Sequence, residues 1–232
     1  FDEIRVIDRL KYHYIMCNNR RKVLDVLEFE KRAFKSITIS RRGNHYIGNL
    51  PYSDIDKSEF SFDKELSNYN PVQVIESLHW DNNVFNVNGY FYLPKLKSQH
   101  DLKADAHLED IHTGEKFPIK LIRIDSKDLT NKYGKKYCRK PLRIASYNYD
   151  CCRFNIPLNM DELNALMGVY KIKIRYYNDV IDNTFVLSNN EKSLIRGNYI
   201  KYTNNRKVYI RFIANNNLEI NFENYVKTSF DI

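Results

Sequence analysis

Residues that bend or break a backbone are scarce in this chain, with 7 Gly and 6 Pro among 232 residues. The glycines stand singly, so no Gly-rich loop is offered to a phosphate, and no Gly-x-Ser-x-Gly elbow presents a nucleophile. Cysteine is scarce as well. The 4 Cys, at Cys17, Cys138, Cys151 and Cys152, lack the C-x-x-C spacing of a zinc site and the density of a secreted disulfide scaffold. They read as reduced thiols, which fits a cytosolic setting; in an extended segment the adjacent Cys151 and Cys152 would point to opposite sheet faces. No apolar run approaches the roughly 20 residues of a membrane-spanning helix. No basic-then-apolar segment with a small-residue cleavage site opens the chain either, so a soluble chain without an export signal is expected. Beginning at Phe1 rather than Met, it is expected to be part of a longer polypeptide.

What the chain has in quantity is rings and positive charge. The 18 Tyr and 13 Phe favour strands, where aromatic side chains pack well on a pleated surface. A formal charge of +8 favours an anionic partner: nucleic acid, a membrane surface or a phosphate-rich polymer. Residues 1–35 carry a helical period in Ile4, Ile7, Leu10 and Tyr14, and again in Val23, Leu24 and Leu27 after a polar break at Asn18 to Arg21. They form one helix or two, either a linker arm or a helix packed on the β region. From residue 36 the apolar period becomes two. Phe85, Val87, Phe91 and Leu93 share one face, with Asn86, Asn88, Tyr90 and Tyr92 on the other. Tyr170, Ile172, Ile174 and Tyr176 repeat the pattern, as do Val208, Ile210 and Phe212 before a turn into Leu218, Ile220 and Phe222.

A hairpin is expected from Leu102 to Ile111, turning at His112 to Glu115 into a strand from Ile119 to Ile124. One short helix is expected from Asn159, a capping residue, to a stop at Gly168. These signals describe a mostly β chain with an N-terminal helical linker at 1–35 and an immunoglobulin-like β-sandwich at 76–188. The short β segment 36–75 and the terminal β-hairpin region 189–232 are each too short to stand alone. Paired with one another they would make a second module in tandem, an arrangement echoed by the match of Arg42 to Ile47 with Arg196 to Ile200.

Three groups of residues invite a chemical reading. Asp54-Ile55-Asp56 has the D-x-D form that holds a divalent metal beside a nucleotide diphosphate, but lacks the α/β unit that form needs, and reads as a loop. Asp105, His107 and Glu109 share one face of a strand, where they are either metal ligands or an ordinary solvated face. Neither group is assigned a metal, and no cofactor is expected. From Lys132 to Lys140, continued by Arg143, Tyr147 and Tyr149, cations alternate with rings. In that stretch Lys135, Lys136, Arg139, Lys140 and Arg143 are suited to phosphates, and the faces of Tyr147 and Tyr149 to sugars or bases. The pattern fits a phosphorylated carbohydrate polymer or single-stranded nucleic acid, and a basic nucleic-acid-binding β protein is the alternative reading.

Several strings carry a resemblance. Phe85 to Pro94, Leu129 to Gly134, Tyr147 to Tyr149, Phe154 to Leu158 and Leu163 to Ile174 resemble the accessory immunoglobulin-like module of Gram-positive teichoic acid polymerases and glycosyltransferases over about residues 76–188. With its helical entry and β flanks, the whole chain is most similar to the C-terminal region of the wall teichoic acid β-N-acetylglucosaminyltransferases. That resemblance implies a catalytic GT-A domain elsewhere, transferring N-acetylglucosamine from UDP-GlcNAc to poly(ribitol phosphate) in the cytoplasm, at the inner membrane face. It also implies that this region is noncatalytic and serves to form a homotrimer and to retain polymer. No catalytic residue carries over.

Overall fold

A computed structural model of the chain describes residues 4–138, 143–189, 197–203, 206–213 and 216–225. Two helices open it, α1 (Val6–Met16) and α2 (Arg20–Arg32). They break where the sequence turns polar: Asn18 takes a left-handed φ of 51°, and the Asn19 side chain accepts a bond from the Lys22 backbone N–H at 3.1 Å, capping α2. Val6, Ile7, Leu10 and Tyr14 form the buried stripe of α1. The helices are therefore packed rather than spanning solvent as an arm, and they pack on the segment immediately C-terminal to them. His13 meets Phe60 edge to face, Phe29 meets Tyr52, and the Arg9 guanidinium donates to the backbone oxygens of Glu59 and Ser61.

That segment contains the hairpin β1 (Ile39–Arg42) and β2 (His45–Gly48), turning at Gly43 with φ 58°, and the short α3 (Asp63–Ser67). The rest of the chain builds strands β3 (Val72–Asp81), β4 (Val84–Tyr92), β5 (Lys103–Asp110), β6 (Lys116–Ile119) and β7 (Ile122–Ile124). After a helix α4 (Lys127–Tyr133) come β8 (Lys135–Cys138), β9 (Arg143–Ser146), β10 (Arg153–Asn159), β11 (Gly168–Tyr177) and β12 (Asp182–Val186). β13 (Tyr199–Thr203), β14 (Arg206–Phe212) and β15 (Leu218–Asn224) complete it.

Among the described residues, β1–β2 and β8–β9 are separate two-stranded sheets, and the other strands form two larger antiparallel sheets. The smaller runs β3-β4-β10-β7, and the larger β13-β14-β15-β11-β5-β6 with β12 also on β11. Their inner faces share one core. Phe91 lies 5.2 Å from Phe185 and Phe85 5.5 Å from Tyr199, centroid to centroid across the gap, and Val87, Phe154, Ile156, Leu108, Ile172, Ile174 and Ile220 are closed to solvent around them. Each such aliphatic or aromatic side chain stabilises the folded state by roughly 1.5–3 kcal/mol over leaving it in water. Gly89 lets β3 and β4 close up, because a Cβ there would stand 2.3 Å from the Val74 carbonyl oxygen.

The mostly β sandwich with helices at its N-terminus is the fold the periodicity predicts, but its connections differ in three places. Among the described residues, β13 to β15 do not pair with 36–75: β15 adds to β11, so these strands widen the larger sheet of the sandwich, while β1 and β2 pair only with each other among the named strands. The strand expected over 119–124 is two strands. β6 pairs with β5 in the larger sheet, and β7 pairs with β10 in the smaller, so the chain crosses between layers at residues 120–121. No helix forms after Asn159. Its Oδ1 accepts from the Asp161 N–H and its carbonyl from Leu163, giving one turn, and the Met160 N–H is drawn to the Asn83 carbonyl instead. The cap is present, but Met160, Leu163 and Leu166 are buried as anchors under the sheet edge, and so few residues do not sustain a helix.

Candidate functional site

The cation-and-ring stretch divides on folding. β8 and β9 form a two-stranded ribbon, with Lys135 opposite Ser146 and Cys138 opposite Arg143, so Lys135, Lys136 and Arg143 all lie on it. Arg139 and Lys140 lie outside the described residues. The rings go the other way. Tyr147 and Tyr149 are buried, 5% and 3% exposed, and stack on each other at 5.9 Å with their planes 4° apart. Tyr149 also stacks on Tyr92 at 4.4 Å. Together with Val74, Tyr90, Leu129, Cys151 and Cys152 they form a second, smaller core on the outer face of β4. The expectation that Tyr147 and Tyr149 offer open faces to a sugar or base is thus corrected: both rings are spent on packing α4 and residues 147–152 against the smaller sheet.

The ribbon is bolted to that core at its root. The Gly134 N–H donates to the Thr130 carbonyl at 2.8 Å, the Tyr147 N–H to the Gly134 carbonyl at 2.8 Å, and the Tyr149 N–H to Thr130 Oγ1 at 2.7 Å. Gly134 is required there, since a Cβ would fall 2.4 Å from the Thr130 oxygen and 2.5 Å from the Tyr147 oxygen. Cys151 and Cys152 are in the turn before β10, and both are buried free thiols rather than occupants of opposite sheet faces. A bond from the Cys152 thiol, with help from the Arg123 charge, draws the Cys151 thiol down, while Cys152 is pushed up by the same bond and by burial. Arg123 Nε also donates to the Cys151 carbonyl at 2.9 Å.

Beside the ribbon root lies a cleft of about 620 Å³. One wall is Ser40 and Arg41 of β1, the opposite wall Ser146, Tyr147 and Asn148 at the end of β9, and the floor the loop Lys97, Ser98, His100 and Asp101. The loop is laid between the two walls like a short strand. The Ile39 N–H donates to the Lys95 carbonyl at 2.7 Å, Lys97 returns a bond to the Ile39 carbonyl at 2.7 Å, and the Asn148 N–H reaches the Lys97 carbonyl at 2.8 Å. Buried Gln99 clamps its base, exchanging bonds with the Leu93 backbone at 3.0 and 3.2 Å. Arg41 is held by carboxylates on both sides, Asp101 at 3.2 Å and Asp179 at 2.6 Å. Asp101 in turn accepts from the Tyr46 hydroxyl at 2.8 Å, and burial followed by that carboxylate raises the Tyr46 phenol above its ordinary value. Lys97 is exposed and its ammonium has no carboxylate partner among the described residues. Sequence reasoning missed this cleft because its walls come from residues near 40, 97 and 147, and no local spacing joins them.

The acidic candidates are accounted for by the fold. Asp54 accepts from the Tyr14 hydroxyl at 3.0 Å and lies 3.4 Å from the Lys22 ammonium, while Asp56 takes the Ser58 N–H and hydroxyl at 2.9 and 2.7 Å. The Asp54 bonds fasten a loop to α1 and α2, and the Asp56 bonds close a turn within that loop. On β5, Glu109 is paired with Lys173 at 2.6 Å, which holds its carboxyl below the usual range, and His107 lies 3.8 Å from the same carboxylate. Burial, with Lys116 next, lowers His107. The strand face that sequence offers as metal ligands is a cross-strand ion-pair face between β5 and β11. Among the described residues no helix is long and apolar enough to cross a membrane.

No protein-family model and no curated protein matches this sequence. Among solved structures, the chain is similar to the crystal structure of residues 217–571 of S. aureus TarS. The match covers 97% of this chain and 57% of that one, with a TM-score of 0.51 at 8% sequence identity. The likeness is one of fold, and it runs through the N-terminal helices, the hairpin and the sandwich together. The chain spans little more than half of the structure it matches.

Proposed function

We propose that this chain is the noncatalytic C-terminal region of a wall teichoic acid glycosyltransferase, and that it serves assembly and polymer retention. In this reading the catalytic GT-A domain, which transfers N-acetylglucosamine from UDP-GlcNAc to poly(ribitol phosphate), lies elsewhere in the polypeptide. The region itself forms a homotrimer and takes no cofactor. The observation that carries the reading is the TarS match over 97% of the chain, joined to the sequence resemblance of residues 76–188 to the accessory modules of such enzymes. A cytoplasmic setting at the inner membrane face belongs to the same reading.

Assembly places several catalytic domains along one polymer and raises their effective concentration without new chemistry. The cations for retention are Lys135, Lys136 and Arg143, on β8 and β9, together with Arg139 and Lys140, which stand between them in the sequence. Single-stranded nucleic acid needs stacking faces as well as charge. The burial of Tyr147 and Tyr149 takes both rings away as stacking faces, for a base and for a sugar alike, and leaves retention to the cations.

Light scattering at micromolar concentration is expected to give three times the 27.8 kDa chain mass, and a strictly monomeric species would remove the assembly half. Purified poly(ribitol phosphate) is expected to bind with an affinity that falls as salt rises. Tighter binding of oligonucleotides at matched salt would reverse the choice of partner.

A further inference from the structure

We propose that the cleft at the root of the ribbon is a subsite for one phosphate-bearing alditol unit, its phosphate on Lys97 and its hydroxyls on Ser40, Ser146 and Asn148. This rests on the polymer-retention reading and adds to it a place and a contact set. A volume of about 620 Å³ falls inside the roughly 300–1,000 Å³ of small-ligand sites and is ample for a five-carbon polyol with its phosphate.

The charges of the cleft are unevenly committed. Arg41 is bonded by Asp101 and Asp179, so it stiffens the wall and holds little net charge for a ligand. Lys97, exposed on the floor loop and without a carboxylate partner among the described residues, is the cation a ligand meets. Around it the lining is the hydroxyls of Ser40, Ser98 and Ser146 and the Asn148 amide, with the His100 imidazole and the Asp101 carboxylate that Arg41 holds. Asn148 Oδ1 accepts the Asp150 N–H at 3.0 Å, which turns the amide nitrogen to the remaining bonds. One uncommitted cation among several neutral donors and acceptors suits a ligand with one phosphate per several hydroxyls. The ring of Tyr147 is buried in the second core, so it is not offered to a base as a stacking face.

The cleft is also preformed and well placed. Bonds from Ile39 to Lys95, Lys97 to Ile39 and Asn148 to Lys97 fix the floor against both walls, so little ordering is left to be done on binding. Ser146 is the ladder partner of Lys135, so that wall of the cleft is continuous with the β8–β9 ribbon.

The test is titration of the intact chain with ribitol 5-phosphate and with purified poly(ribitol phosphate), comparing Lys97→Gln, Lys97→Arg and a Lys135→Gln/Lys136→Gln double variant. Lys97 is exposed, and thermal melts of its variants should overlay the parent. Loss of the charge-assisted phosphate bond in Lys97→Gln is expected to weaken ribitol 5-phosphate about tenfold or more, with Lys97→Arg restoring most of it. The ribbon variant is expected to weaken the polymer and leave the monomer unchanged. If the polymer binds and Lys97→Gln changes neither ligand, the cleft assignment falls while polymer retention stands. If neither ligand binds the parent chain, polymer retention falls and the subsite with it.

Discussion

Tyr149 shows how one side chain changes meaning when its surroundings are known. In the sequence it stands in a run of cations and rings that looks like a binding face. In the structure it is a wedge, stacked on Tyr147 and Tyr92, with burial raising its phenol. Truncation should therefore act on folding. Tyr149→Ala is expected to cost about 3–5 kcal/mol in urea denaturation, as for other buried aromatic residues. Tyr149→Phe, which keeps the ring, should stay within about 1 kcal/mol. An Ala variant as stable as the parent but weaker for polymer would return the ring to the ligand face. The same positions mark the limit of what alternation can tell. Phe85, Val87 and Phe91 are legible as inward residues because the period of two and the core agree. Tyr90 and Tyr92 alternate outward and are covered all the same, because α4 and residues 147–152 lie over that end of β4. That contact joins segments some 40 to 60 residues apart and leaves no trace in either one.

At the scale of elements, the docking of α1 rests on a carboxylate from α3. Glu65 Oε1 accepts the Val6 N–H at 2.5 Å, answering one of the orphan donors at the start of the helix. Burial raises the Glu65 carboxyl above its usual range, although the Val6 N–H and the cations Arg9, Lys95 and Arg5 pull it the other way. The folded protein therefore holds this proton more tightly than the unfolded chain. Below the unfolded carboxylate range the site imposes no penalty. As pH rises through that range, about 4.3 for an unperturbed Glu, and on through the raised folded value, stability is lost. Glu65→Gln keeps an acceptor for Val6 and carries no charge, so it should be more stable than the parent at neutral pH and no different in acid. Denaturation midpoints that run parallel from pH 4 to 7.5 would overturn this. The helices themselves are plain in the sequence, from their stripe and from the polar break at Asn18 and Asn19. What periodicity leaves open is arm or packed helix, and bonds to Glu59, Ser61 and Glu65 decide it, from partners no spacing rule connects to α1. The converse failure is at Asn159, where good capping chemistry meets a stretch that tertiary burial holds in a single turn.

For the molecule as a whole, the helices and hairpin share a continuous hydrophobic core with the sandwich, and polar contacts fasten the two together. Ile39 bridges to Leu96, Arg41 reaches Asp101 and Asp179, and the Tyr176 hydroxyl donates to the carbonyls of Leu66 and Tyr69 at 2.9 and 2.8 Å. β11 joins the larger sheet in an uneven way. One edge is taken by β5 from Tyr170 to Tyr177, while the other is shared, Gly168 to Lys171 by β15 and Lys173 to Tyr177 by β12. The change of partner falls at Ile172, where the Leu187 N–H crosses to the Ile172 carbonyl and the Leu218 N–H to the Leu187 carbonyl. The shared edge is two short ladders meeting at a seam. Native-state amide exchange should resolve it: protons of β13 to β15 are expected to open as one cooperative unit, at lower free energy than the β5–β11 ladder and independently of β12. A single exchange isotherm across β5, β11, β12 and β15 would deny the seam. With the seam, the three strands β13 to β15 are able to unzip and re-form while the sandwich beneath them stays closed.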